Sequence, residues 1–98
     1  MVLSDLHDAT LQTIKVDWET ALLEVRIKTG TNDSDTQVLE AEGLTDFKCP
    51  RLLPWGPSHS INSASLQIRL SEQLLVIEMQ SGDRLEVSCK SVSRRPRA

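Results

Sequence analysis

Leu22-Leu-Glu-Val-Arg-Ile-Lys-Thr-Gly30 is the stretch whose reading decides the fold. Leu23, Val25 and Ile27 alternate with Glu24, Arg26 and Lys28. A period of two sends successive side chains to opposite faces, so this segment is a strand with one apolar and one charged face. Leu74-Leu-Val-Ile-Glu-Met-Gln-Ser-Gly82 has the same order, with Leu75, Ile77 and Met79 on the apolar parity. One kind of strand is therefore written twice.

Flanking segments extend the parallel. Ala9-Thr-Leu-Gln-Thr-Ile-Lys-Val16 precedes the first copy, and Ala64-Ser-Leu-Gln-Ile-Arg-Leu70 precedes the second with one residue fewer. Val38-Leu-Glu-Ala41 follows the first, and Leu85-Glu-Val-Ser88 follows the second. The chain reads as a strand-strand-strand unit used twice, the alternative being chance likeness between short strands. In the first half the strands are expected over Ala9–Val16, Ala21–Lys28 and Thr36–Glu42, the third running on past Gly43 toward Phe47. Asp17–Thr20 makes a turn, and Ser81-Gly82-Asp83 closes a hairpin. Thr29–Asp35 is a polar loop in which Gly30 and Asn32 are expected to supply positive φ.

Strand one breaks its own parity: Ala9 and Leu11 lie on one, Ile14 and Val16 on the other. One extra residue near Gln12-Thr13, a β-bulge, returns them to a common face and should leave Leu11 and Ile14 both buried. The second copy is expected to keep regular parity through Leu70. Between the halves, Cys49 to Ser60 contains Pro50, Pro54 and Pro57, whose missing amide donors exclude a central strand.

A three-stranded sheet alone leaves its apolar face wet, so the two meanders must pack together. The expected fold is all-β: a six- to seven-stranded antiparallel sandwich or flattened barrel built from two similar three-strand meanders. Residues 1–98 form one domain, with 1–48 as the first half, 49–60 as the Pro/Trp connection and 61–92 as the second half. Residues 93–98 are read as a flexible basic tail.

Composition narrows the function. Of the 98 residues 39% are apolar and only 3% aromatic, namely Trp18, Phe47 and Trp55. The core must be aliphatic, and platforms that stack nucleic-acid bases on exposed rings are disfavoured. Net charge is −3, unevenly spread. Positions 1–89 hold all 14 acidic residues against 7 basic ones, and the remaining basic residues are Lys90, Arg94, Arg95 and Arg97. An acidic body argues against nucleic acid as a partner. The amino terminus has no secretory signal pattern, and no stretch nears the ~18 apolar residues of a membrane span. A cytoplasmic protein with both Cys49 and Cys89 free and buried is expected.

Candidate chemistry is sparse. Trp55, Ser58 and His59 cluster in the connection, and His7-Asp8 precedes strand one. Trp55 reads either as a plug over the core or as an exposed anchor for a protein partner. Ser58 with His7, His59 and Asp8 supplies the residue types of a hydrolytic triad, but no nucleophile elbow is present. His7-Asp8 is more simply a turn in which the Asp side chain accepts backbone amides. Cys49, Cys89, His7 and His59 lack the paired spacing of a zinc site. Asp33, Asp35, Glu40, Glu42 and Asp46 lack the calcium-loop pattern; Glu40 and Glu42, on alternating positions, read as one solvated strand face, the further alternative being an acidic face that blocks a nucleic-acid-binding surface.

Leu6-His7-Asp8-Ala9-x-Leu11, followed by Trp55-Gly56-x-Ser58-x-x-Ile61, resembles small uncharacterised bacterial β-domains, some of them grouped with immunity proteins of toxin systems. The resemblance implies a compact β domain with a protein partner. The expectation is a non-enzymatic protein-binding domain, immunity-like, without cofactor, metal or small-molecule substrate. The alternative is an accessory subunit that homo-dimerises through a strand edge. Trp55, Ser58, His59, His7 and Asp8 are the binding candidates.

Overall fold

The computed structural model describes residues 1–51 and 59–96. Eight strands are present among them: β1 Thr10–Asp17, β2 Leu22–Lys28, β3 Thr36–Glu42, β4 Asp46–Lys48, β5 Ile61–Ile68, β6 Gln73–Met79, β7 Arg84–Cys89 and β8 Ser91–Pro96. They form two four-stranded antiparallel sheets in the orders β1-β2-β3-β8 and β4-β7-β6-β5. The all-β, two-sheet expectation holds, with eight strands in place of six or seven.

The two added strands show how the halves interlock. Each meander ends in a strand that joins the other sheet: β4 follows β3 but pairs with β7, and β8 follows β7 but pairs with β3. Strand three therefore does not run on to Phe47. It stops at Gly43, whose φ of 69° turns the chain, and Asp46–Lys48 enters the second sheet. Main-chain bonds seal both crossings, Thr45 N–H to Ser88 O at 2.9 Å and Lys90 N–H to Glu42 O at 2.9 Å.

The expected basic tail is corrected over Ser93 to Pro96, residues 97–98 lying outside the described residues. Ser93 to Pro96 belong to β8, paired residue by residue with β3 from Glu40 to Gln37. Arg94 reaches the carboxylate of Asp5 in the amino-terminal 3-10 turn Ser4–Leu6. Arg95 lies 3.5 Å from Glu24 and 3.6 Å from Glu40. On that outer face Val38 stands in register between Arg26 and Arg95 and is buried. Arginine stems can cover apolar surface while their charged heads stay wet. Asp5 thus holds Arg94, and acids on β2 and β3 hold Arg95, two residues of the expected solvated terminus.

The core lies between the sheets. Leu23, Val25 and Ile27 from β2 face Leu75, Ile77 and Met79 from β6 in one buried cluster, as the alternation requires. Each such side chain contributes about 1.5–3 kcal/mol on full burial. Leu3, just ahead of the 3-10 turn, and Leu6 within it join the same cluster.

The predicted bulge is present, with the β1–β2 register slipping between Leu11 and Thr13. Leu11 is buried, but Ile14 is only half-buried, because β1 is a sheet edge there. The second copy bulges too, between Ile61 and Ser63, ahead of the run expected to be regular, which keeps its register from Ala64 to Ile68. Ladder partners set the true equivalence. Leu11 pairs with Ile27 and Ile61 with Met79, and these partners are themselves equivalent. Ile61 thus matches Leu11, Ala64 matches Ile14 and Leu66 matches Val16. Ile68 and Leu70, expected inside, are exposed. The loop after β2 also differs from expectation: neither Gly30 nor Asn32 has positive φ. Asp35 organises that loop instead, accepting from Asn32 N–H at 3.0 Å, while its carbonyl accepts from Thr29 N–H at 3.0 Å.

Candidate interaction surface

The two sheets meet where residues 7–11 run antiparallel to residues 59–62. Ile61 N–H donates to Ala9 O at 2.8 Å, Leu11 N–H to His59 O at 3.0 Å and Asp8 N–H to Ile61 O at 2.8 Å. Thr10 and Ser60 form the bridge itself. His7, Asp8 and His59, chosen from separate parts of the sequence, are brought to this one seam.

Their side chains have structural work there. His7 Nδ1 lies 2.7 Å from the Asn62 carbonyl oxygen. Asp8, at φ 66°, accepts from the side-chain amide of Gln80, not from backbone amides as a simple turn would have it. Asn62 Nδ2 donates to Glu78 Oε1 at 2.7 Å. These bonds pin the start of β1 to the β5–β6 hairpin.

His59 lines a shallow cavity of about 270 Å³ on the β1 bulge, with Leu11, Thr13, Ile14, Cys49 and Arg51 among its walls. His7 and Asp8 are not among its described walls. Cys49 is exposed and Cys89 buried, so only one of the two expected buried thiols is found. Partial desolvation pushes the Cys49 thiol up, the Asp83 carboxylate pushes it further, and Arg51 opposes both. Burial likewise raises Cys89. A raised thiol holds little thiolate at neutral pH, the opposite of an activated nucleophile. Among the described residues no three His, Cys, Asp or Glu side chains gather closely enough to hold a metal. Trp55 and Ser58 lie outside the described residues.

One exposed aromatic was not among the sequence candidates. Trp18, at the tip of the β1–β2 hairpin, is 72% exposed. Asp17 Oδ1 holds the tip by accepting from Glu19 N–H at 3.1 Å and Thr20 N–H at 3.3 Å. Ala21 turns left-handed at φ 55°, and its carbonyl accepts from Leu44 N–H at 2.9 Å. Beside the tip runs an open groove whose walls include Thr20, Leu22, Glu40, Glu42 and Lys90. Asp17 and Glu19 flank the ring in sequence, so the tip presents an indole within acidic surroundings. The signal was available: a tryptophan between two acids in a turn has no apolar parity to bury it.

No family model matches the chain, and no curated protein matches it. Among solved structures it is similar to an uncharacterized protein from Neisseria gonorrhoeae, at a TM-score of 0.72 and 13% identity over 93% of both chains. At that identity the likeness extends to the fold: the two-sheet arrangement is shared nearly end to end.

Proposed function

We propose that the protein is a non-enzymatic interaction domain that docks a protein partner through the β1–β2 hairpin tip. The observation that carries this reading is Trp18, an indole left 72% exposed on a tip braced by Asp17 and Leu44. Exposed tryptophan on a preorganised support makes a favoured interface anchor, because it brings large apolar area with little loss of conformational freedom. Asp17 and Glu19 beside it in sequence, with Glu42 in the adjoining groove, favour a partner whose apolar pocket is rimmed by lysine and arginine. An immunity-like role is one form of this reading, in which the basic partner is a toxin whose working surface the acidic rim covers.

A photo-crosslinking amino acid at position 18, introduced in the native host, tests the reading. A discrete crosslinked protein, absent when the crosslinker replaces Lys28, is the expected result. Labelling at position 18 that never exceeds the Lys28 control would sink the proposal. With that partner purified, Trp18→Ala should weaken binding by about 2 kcal/mol or more, roughly thirtyfold in Kd.

A further inference from the structure

Sheet edges expose unpaired amides and carbonyls, and proteins that stay monomeric blunt them with charge, proline or short length. The edges here are β1, β8, β4 and β5. β1 carries Lys15 and Asp17, β8 carries Arg94, Arg95 and Pro96, and β4 has three residues with Asp46 and Lys48. β5, Ile61-Asn-Ser-Ala-Ser-Leu-Gln-Ile68, has eight residues with neither charge nor proline. At the positions matching Lys15 and Asp17 it has Ser65 and Gln67. Its bulge is confined to Ile61–Ser63, beside the seam, which leaves Ala64–Ile68 regular.

The register shows which β5 groups face outward. Arg69 N–H donates inward to Glu72 O at 2.9 Å. Antiparallel pairing alternates, so Gln67 and Ser65 also turn their amides toward β6, while Ala64, Leu66 and Ile68 turn theirs away. Ile68 is 69% exposed, and Leu70 just beyond it is fully exposed.

We propose that β5 pairs with β5 of a second copy of this chain, antiparallel and about a two-fold axis through Leu66, joining two four-stranded sheets into one of eight. In this register Leu66 faces its own copy and Ile68 faces Ala64. Facing residues exchange two main-chain bonds each, about six across the junction. Ile68 then lies beside a small half-buried side chain in place of water, and Ser65 faces Gln67 with no charge opposed. A two-fold axis lets one surface satisfy itself, which suits an edge whose outward groups are Ala64, Leu66 and Ile68. The pairing does not involve Trp18, so its failure and failure of the hairpin-docking reading are separable.

Light scattering and sedimentation of the full chain test the proposal, with two double variants on exposed side chains. Wild type should have the mass of a dimer at micromolar concentration. Ser65→Lys with Gln67→Lys opposes lysines across the axis, and should raise the dimer dissociation constant on the order of a hundredfold with an unchanged melting profile at monomer concentrations. Ser65→Glu with Gln67→Glu should do the same, and mixing the two variants should restore dimers. Wild type monomeric throughout, a lysine variant that dimerises normally, or a mixture that stays monomeric would each overturn the assignment.

Discussion

Arg94, in the last strand, grips Asp5 near the first residue of the chain. Its two terminal nitrogens lie 2.8 and 2.7 Å from the two carboxylate oxygens, and one of them also donates to Val2 O at 3.0 Å. The Arg94 hydrogen bonds hold the Asp5 carboxyl below its ordinary range. A depressed acid stabilises the fold above its unfolded pKa, and that contribution is lost as pH falls through the folded value. Asp5→Asn should therefore lower stability at neutral pH by about 0.5–1 kcal/mol, given the exposure of the pair. The difference from wild type should shrink under acid conditions, read by urea denaturation across pH 2 to 7.

Because β8 pairs with β3 and Arg95 flanks Val38, the strand Ser91–Pro96 is structural. Removing residues 91–98 strips β3 of a partner and uncovers Val38, so cooperative unfolding by circular dichroism should be lost or shifted strongly downward. Removing only residues 97 and 98 should leave the transition in place.

Gly43 turns the chain between sheets at φ 69°, and a Cβ there would lie 2.7 Å from Lys90 Cγ. Gly43→Ala should cost about 1 kcal/mol or more, through both backbone strain and crowding. In the Lys90→Ala background the clashes with Cγ and Cδ are removed, while the Lys90 Cβ at 2.9 Å and the backbone part remain. The cost of Gly43→Ala should fall there without vanishing, measured as a double-mutant cycle in chemical denaturation.

Both thiols are raised, so reaction of the native protein with a disulfide reagent at pH 7 should be slower than that of a free cysteine peptide, and should accelerate as pH rises. Cys49 should react first, since Cys89 is buried and opens only on unfolding. Two fast equivalents at neutral pH would contradict this placement.

With Trp55→Phe removing the other indole, Trp18 alone should give the red-shifted emission of a wet ring and be quenched freely by acrylamide. Addition of a partner that docks at the tip should shift that emission to the blue.

Alternation in the Leu23 and Leu75 strands, the Ser81–Asp83 turn and the strand-one bulge were all legible in the sequence, because each is a local pattern of period two or a turn with its own residue preferences. The Ile61 bulge leaves less trace, because the apolar alternation begins at Ala64 and Ile61 stands ahead of it across Asn62 and Ser63. Trp18 lies in a turn, where no strand parity says which way its side chain goes. For His7, Asp8 and His59 the residue types were legible, but not that the seam would occupy them with Asn62, Gln80 and Leu11.

What the sequence by itself determined is six of the eight strands, the twofold repeat and the aliphatic core, since side-chain parity depends only on neighbours along the chain. Strand exchange between halves was decided only in three dimensions. Arg94, Arg95 and Asp46–Lys48 show no apolar alternation, and they become strands because β3 and β7 each present an edge whose amides and carbonyls must be paired. A hydrogen-bonding demand of that kind is set by the finished sheet and leaves no mark on the residues that meet it. The same logic singles out β5, where an edge made of uncharged residues is left open among the described strands.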